Sequence, residues 1–493
     1  MSSNTTAETA ERRLHPVGML LAALATVRRW FGLAAFPSVA ALLNGEFGMR
    51  TLLLVFLGVA LIAVLSAVWG VLSWRATTYR VSGGAFHLKQ GVLQKSERSL
   101  PLERIQSVDT VQGVVQRVFG VVEVRIEAAG GGGEPEISLS ALSRPAAGAL
   151  REELTRSTHR VSPEVPEEPT VLRGLAVRDL LLAGVTSGQI GVAASVVFGA
   201  SQVVERVLPR DFAQRLSEAY LPRTISAFLL LLLAVALLSW VLAILGTVFA
   251  HAGFTLSRSP DGKYLHIRRG LVERHESTVP LARIQAIRVV EGVLRQPFGL
   301  AALRVESAGF GAERGVSTTL FPLLPRREVG KFLRIAVPEF AAPLDNLEPL
   351  PGGARRRYAF RSALPVLVLT VPYAALFFPW GLAGLLLALP AALYGLVRYQ
   401  AAGQGLDDDR LVLRFRRLAR TTVVAPRGRL QSRGYSVSPF QGRVGLATLK
   451  IEVASGSGGT AFRLVDVDAK VAEGLVEALS DPAARTATRE HLT

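Results

Sequence analysis

The chain has 493 residues, 49% of them hydrophobic and only 19% charged, with a mean hydropathy of +0.34. Soluble domains carry about 25% charged residues, so this composition argues against a wholly water-soluble protein. Lys and Arg outnumber Asp and Glu by 56 to 39, a net charge of +17, and there is no cysteine. Disulfides, thiolate nucleophiles and cysteine metal sites are thereby excluded. The basic excess suits nucleic acid or an anionic membrane surface.

In chain order, Arg12 and Arg13 precede an apolar stretch, 17–27, with the outline of a signal peptide. Arg28 and Arg29 follow where a cleavage site would need small residues, so the stretch is read as an amphipathic lead-in. Six apolar runs then come in three pairs: 30–43 with 51–72, 180–204 with 225–249, and 363–379 with 381–397. A spanning helix needs about 20 apolar residues, and the fourth run has no charge at all. The runs predict three transmembrane hairpins. Arg28, Arg29, Arg75, Arg173, Arg178, Arg355, Arg356, Arg357, Arg361 and Arg398 flank them on the side of the chain ends, which predicts that side to be cytoplasmic. The second outer turn is longer. Its Leu208, Phe212, Leu216 and Tyr220 recur every four residues, as in a helix lying in the outer interface.

After each hairpin comes a strand-rich segment, and the three align without a gap over 30 residues. They read PLERIQSVDTVQGVVQRVFGVVEVRIEAAG at 101–130, PLARIQAIRVVEGVLRQPFGLAALRVESAG at 280–309 and PRGRLQSRGYSVSPFQGRVGLATLKIEVAS at 426–455. The repeat signature is Pro101, Arg104, Gln106, Gly120 and Glu127, then Pro280, Arg283, Gln285, Gly299 and Glu306, then Pro426, Arg429, Gln431, Gly445 and Glu452. These positions are read as structural. Alternation predicts strands at 85–89, 95–100, 105–111, 122–126 and 137–142, with a turn or single helical turn at 113–120. Closing helices are expected at 145–155, 326–337 and 469–479. Arg104 and Gln106 are expected on one strand face, since side chains alternate. Arg104, Arg283 and Arg429 either pair with Glu127, Glu306 and Glu452 of their own modules or are solvated independently.

This order, a hairpin followed by a strand module with P-L-x-R-I-Q, F-G and V-R-I-E, resembles the type-2 bacterial PH-domain membrane proteins, the YdbT-like family. The resemblance covers nearly the whole chain. It implies a PH-like fold, a bacterial cell-membrane location and no enzymatic activity. The expected fold is a membrane protein of α plus β class. Three transmembrane helical hairpins alternate with three PH-like antiparallel β-barrel modules, each closed by a C-terminal helix. The expected divisions are a cytoplasmic lead-in at 1–29, hairpin 1 at 30–74, module 1 at 75–158, a linker at 159–178, hairpin 2 at 179–250, module 2 at 251–341, a linker at 342–358, hairpin 3 at 359–400, module 3 at 401–481 and a tail at 482–493.

The residues offer little chemistry. His15, His87, His159, His251, His266, His275 and His491 form no i,i+4 ligand pair, so no metal and no cofactor are expected. The glycine run 130–133 lacks a following G-K-[ST] and reads as a strand connection. Asp407, Asp408 and Asp409 read as a solvated loop. No G-x-S-x-G is present, and no catalytic residue is assigned. Nucleic acid is excluded as a partner because stacking aromatics are few, at 7%. The expected role is a non-enzymatic scaffold or interaction platform at the inner leaflet, in envelope maintenance or stress response. Its partners would be bulk anionic lipid and a protein or a second copy of itself. The alternative is a transporter or exporter component. Only Thr186, Ser187 and Gln189 interrupt the third run, and polar side chains of this kind more often join helices together. The PH resemblance directs attention to the loops between the first two strands, 81–85, 257–263 and 405–410. Only the second is basic, with Arg258 and Lys263, so lipid attraction is expected to be diffuse.

Overall fold

The computed structural model describes residues 11–27, 49–128, 137–158, 169–187, 195, 225–307, 318–378, 382–455 and 459–480. The first apolar run, most of 188–204, the outer-turn helix around 208–220, the glycine run 130–133, His159, His491 and the tail 482–493 lie outside the described residues. The chain divides into two compact units, Met1–Thr278 and Val279–Thr493.

In the first unit, β1 (Arg12–Arg13) and helix α1 (Val17–Val27) lead to α2 (Met49–Arg75). Four strands follow: β2 (Thr78–Ser82), β3 (Ala85–Gln90), β4 (Ser96–Pro101) and β5 (Ile105–Gln112). A short helix α3 (Val114–Val118) precedes β6 (Val121–Ala128), β7 (Ile137–Ser143) and the closing helix α4 (Arg144–Thr158). Next come β8 (Thr170–Gly174), α5 (Val177–Val185), α6 (Ile225–His251), β9 (Thr255–Arg258), β10 (Tyr264–Arg269) and β11 (Arg274–Pro280). The module core follows from strand alternation. Val122, Val124, Ile126, Leu139 and Leu142 point inward and meet Leu150 and Leu154 of α4. Leu14 joins the same core, and the Trp74 indole donates to its carbonyl at 2.9 Å, so the lead-in is part of the module.

The second unit contains β12 (Ile284–Glu291), β13 (Leu300–Ser307), β14 (Thr318–Pro325) and closing helix α7 (Arg326–Ala336). Strand β15 (Glu348–Pro349) precedes α8 (Gly352–Leu376), α9 (Leu382–Leu385) and α10 (Ala388–Gln400). The last module follows as β16 (Gly403–Asp407), β17 (Arg410–Arg416), β18 (Arg420–Pro426), β19 (Leu430–Ser436), α11 (Pro439–Gly442), β20 (Leu446–Val453), β21 (Thr460–Asp468) and α12 (Ala469–Ser480).

The sheets are antiparallel, but the strands do not close into three separate barrels. The strand orders are β1-β2-β3-β4, then β7-β6-β5-β11-β10-β9-β8, then β14-β13-β12-β18-β17-β16-β15, then β19-β20-β21. The last three strands of one module and the first strands of the next thus make one seven-stranded sheet. An isolated module would expose the outer edges of its fourth and fifth strands. Joining β5 to β11 and β12 to β18 satisfies those backbone groups.

The linkers hold a further pattern. Ahead of each expected hairpin a short strand pairs with the strand that follows it: Arg13 with Thr78, Gly174 with Thr255, and Pro349 with Gly403. Among the described residues three helices are long and apolar enough to cross a membrane: Leu229–His251, Gly352–Leu376 and Leu382–Gln400. Helix α8 begins at Gly352, ahead of its apolar run, and its first turns carry Arg355, Arg356, Arg357 and Arg361. Gly395 lets α10 approach α8 closely. A Cβ there would sit 2.4 Å from the Tyr358 carbonyl oxygen.

The repeat signature is explained by backbone geometry. Leu102–Arg104, Leu281–Arg283 and Arg427–Arg429 each form a 3-10 turn, with the signature proline at its N-cap. Arg104 therefore belongs to that turn, and the expectation that it shares a strand face with Gln106 is corrected. Proline fixes the φ that starts the turn, and the turn interrupts the alternation. Gly120, Gly299 and Gly445 have φ of +66, +59 and +66 just ahead of β6, β13 and β20. An L side chain is disfavoured in that left-handed conformation.

One cluster ties the third hairpin to its module. Asp466 is fully buried, with φ +61. It accepts from Arg361 at 2.6 Å, from Arg357 at 3.2 Å and from the Gln441 amide at 2.8 Å. Tyr358 donates to the Val465 carbonyl at 2.9 Å. Replacing Asp466 with Asn keeps a residue tolerant of the left-handed backbone but removes the charge, at a cost of about 1.5–3 kcal/mol. Alanine loses both advantages. Thermal unfolding of the full chain in detergent should rank the parent above Asp466→Asn, and that above Asp466→Ala.

Candidate functional site

The two shared sheets use one register. Arg274, six residues before Pro280, lies opposite Gln112, eleven after Pro101. Arg420, six before Pro426, lies opposite Glu291, eleven after Pro280. Each junction therefore brings a basic residue from a fourth strand against a polar residue from a fifth strand. The first residue of the preceding closing helix, Arg144 or Arg326, reaches the same place.

At the second junction, Glu291 is 1% exposed. Arg420 grips it through Nε at 3.0 Å and through a second, shorter contact from Nη2, and Arg326 lies 3.6 Å away. Arg326 also donates to Asp345 Oδ1 at 2.6 Å. Arg414 lies 3.6 Å from the same carboxylate and donates to the carbonyl of Leu344, which is itself buried. Two arginines thus hold a leucine–aspartate step from the segment after the closing helix. Burial pushes the Arg414 guanidinium down, and the positive charges of Arg326 and Arg420 add to this.

At the first junction, Gln112 stands in for the glutamate. It accepts from Arg144 at 2.7 Å and donates to the Val121 carbonyl at 2.9 Å. A cavity of about 240 Å³ opens beside it, lined by Arg144, Arg151, Arg268 and Arg274 with Glu276 as the carboxylate. Arg144 and Arg268 occupy the repeat positions of Arg326 and Arg414, which hold Asp345 at the other junction. Guanidinium pairs of this kind match carboxylate or phosphate oxygens. The segment corresponding to the Leu344–Asp345 step falls at 159–168, outside the described residues.

His266 sits beside this cavity. Its Nδ1 lies 3.0 Å from Arg151 Nη2 and 3.1 Å from the Thr278 hydroxyl. Arginine can only donate, so Nδ1 is the acceptor and the proton sits on Nε2. Burial, with help from Arg151, pushes the imidazole down to about 4, while Asp261 pulls the other way. Among the described residues no group of three His, Asp or Glu side chains is placed to hold a metal.

The signature residues lie away from the cavity. Glu306 is buried and pairs with Arg288 at 2.9 Å. Glu452 contacts Lys450, and Arg429 pairs with Glu339 at 3.1 Å and donates to the Ala282 carbonyl. Glu306 and Glu452 therefore have other partners than the signature arginines, and Glu306 is not solvated as an outward-facing residue would be. The side chains of Gln106 and Glu127 lie outside the described residues. Of the loops resembling phosphoinositide-binding loops, 257–263 turns its groups on itself. Arg258 donates to the Gly262 carbonyl at 3.0 and 3.1 Å, and Asp261 accepts from the Lys263 amide at 3.0 Å. In the third loop Arg427 approaches Asp409 at 3.9 Å, and Arg410 lies 4.0 Å from Asp407 and from Asp408.

The comparisons with known proteins agree with this architecture. The bacterial PH domain family matches three times, at residues 21–158, 203–337 and 365–483. The chain belongs to the bacterial PH-domain family. It is 32% identical over 464 residues to the UPF0699 transmembrane protein YdbT of Bacillus subtilis strain 168, covering 90% of this chain and 93% of that protein. It is a transmembrane protein with three bacterial PH domains. The junction arginines were missed in the sequence because they lie outside the aligned windows, Arg268, Arg274, Arg414 and Arg420 ahead of them and Arg144, Arg151 and Arg326 beyond them. The signal was present: Lys89, Arg268 and Arg414 lie twelve residues before the signature proline, and Lys95, Arg274 and Arg420 lie six before it.

Because His266 stays neutral in the folded state to about pH 4, the unfolded chain binds more protons between that value and about 6.5. Stability therefore falls as pH drops through that window. His266→Gln should flatten this part of the melting-temperature profile, and parallel curves for variant and parent would remove His266 from the account.

Proposed function

We propose that this is a non-enzymatic, six-span membrane protein that holds three PH modules against the cytoplasmic leaflet as a platform for protein and bulk anionic lipid. Both termini and all modules would face the cytoplasm. The observation carrying this reading is the strand pairing across each hairpin, β1 with β2, β8 with β9 and β15 with β16. Neighbouring strands of one sheet lie about 4.8 Å apart, so a chain leaving one and returning to the other re-emerges on the side it left. The arginine bias of the hairpin bases supports the cytoplasmic side. The merged sheets add support, since within each unit strands of two modules share one sheet.

A reporter active only outside the cytoplasm should be silent when fused after Thr493 and active when inserted beside Gly45. The opposite pattern would overturn the orientation.

The self-satisfied loops support lipid attraction without headgroup selection. The full chain in nanodiscs should recruit anionic vesicles at low salt, and a Debye length that shrinks from about 30 Å at 0.01 M to about 3 Å at 1 M should abolish this. Salt-resistant preference for one phosphorylated headgroup would contradict it.

A further inference from the structure

Both junctions pair the fourth strand of a later module with the fifth strand of an earlier one. In the first module the fourth strand is β4, and in the last module the fifth strand is β19. Among the described residues each of these is the end strand of its sheet. Their exposure agrees: β4 is exposed at every position but Leu100, whereas its counterpart β18 is buried at every position but Arg420. Among the described residues this leaves one end strand of each kind, and the two kinds are complementary.

We propose that a second copy of this chain docks there, its β19 pairing antiparallel with β4 and continuing the array from molecule to molecule. This deepens the platform reading and rests on it, because copies in one membrane can join this way only if their modules share a side. The internal junctions fix the register. Position −6 relative to the signature proline faces +11, −5 faces +10 and −4 faces +9 in the first junction, and the second keeps the same offset from −2 to −6. Applied to the free edges, this puts Lys95 opposite Val437, Ser96 opposite Ser436, Glu97 opposite Tyr435, Arg98 opposite Gly434 and Ser99 opposite Arg433. Glu97 and Arg433 become diagonal neighbours on one face, a spacing of about 7–8 Å that long side chains bridge.

A charged edge can instead serve to repel other strands. The sequence of β11 argues against that use here. Arg274-His275-Glu276-Ser277-Thr278-Val279-Pro280 aligns with Lys95-Ser96-Glu97-Arg98-Ser99-Leu100-Pro101, and β11 is paired despite its charges. The contact is heterologous, since two different edges meet. It therefore yields chains or rings and not an isolated two-fold dimer.

The absence of native cysteine makes the test direct. Ser96→Cys and Ser436→Cys in one full-length chain should give, on oxidation in native membranes, a ladder of disulfide-linked multimers. Directly opposite residues lie about 4.5–5.5 Å apart, within disulfide reach. Ser96→Cys with Ser432→Cys, displaced by roughly 14 Å along the strand, should give none. Thr110→Cys with Glu276→Cys, opposite each other at the first junction, reports that oxidation works and that the sheet has formed. No ladder while this internal bridge forms overturns the proposal, as does an adduct to a protein of another mass. Labelling of the single Ser96→Cys variant by an impermeant maleimide separates the two readings. Labelling only from the outer face sinks the cytoplasmic placement, and the ladder still judges the assembly.

Discussion

A strand at the margin of a sheet offers a row of N–H and C=O groups that must find partners or water. Each PH module of this chain has two such margins, on its fourth and fifth strands. The structure meets the demand by pairing a module with the next one, at β5 with β11 and at β12 with β18. The rest of the architecture follows. Because main-chain bonds set the register, the junctions repeat it residue for residue although their side chains differ. Because the register repeats, the same three repeat positions bring basic groups to each junction.

What fills those junctions is where the repeats diverge. Glu291 and Asp345 neutralise the guanidinium groups of Arg326, Arg414 and Arg420 in one. In the other, Gln112 carries no charge and Arg144, Arg151, Arg268 and Arg274 surround a cavity with Glu276 as the counter-ion. Among the described residues the first junction thus keeps the larger positive excess, four arginines against one carboxylate, where the second sets three against two. A low-dielectric, partly enclosed site magnifies that difference relative to the solvated arginines of the surface.

Much of the fold was legible in the sequence because it rests on local rules. Val122, Val124 and Ile126 alternate with polar residues and form a strand. The closing helices begin at Arg144, Arg326 and Ala469, within one residue of their expected starts. The F-G signature marked a turn whose glycine takes a positive φ. What escaped was non-local. The two-residue strands Arg12–Arg13 and Glu348–Pro349 have no periodicity of their own and exist only through their partners. Strand β2, Thr78–Ser82, alternates weakly, so its own sequence carries little strand signal. The merged sheets were invisible because an edge and a paired strand have the same composition, as β4 and β11 illustrate. Asp466 gave no signal either, since its role depends on Arg357 and Arg361 more than a hundred residues earlier.

The pairing of β8 with β9 has a consequence for how such a chain could have been built. Gly174 and Thr255 are partners in the ladder, and the Leu175 amide extends it by donating to the Phe254 carbonyl at 3.0 Å. Everything between them is topologically a loop of one β-hairpin, stretched to take in α5 and α6 among its described residues. A tight turn of two residues closes the same gap. The apolar segment is in this sense a parenthesis within the sheet, one that can be written in or struck out without changing the order of the strands around it.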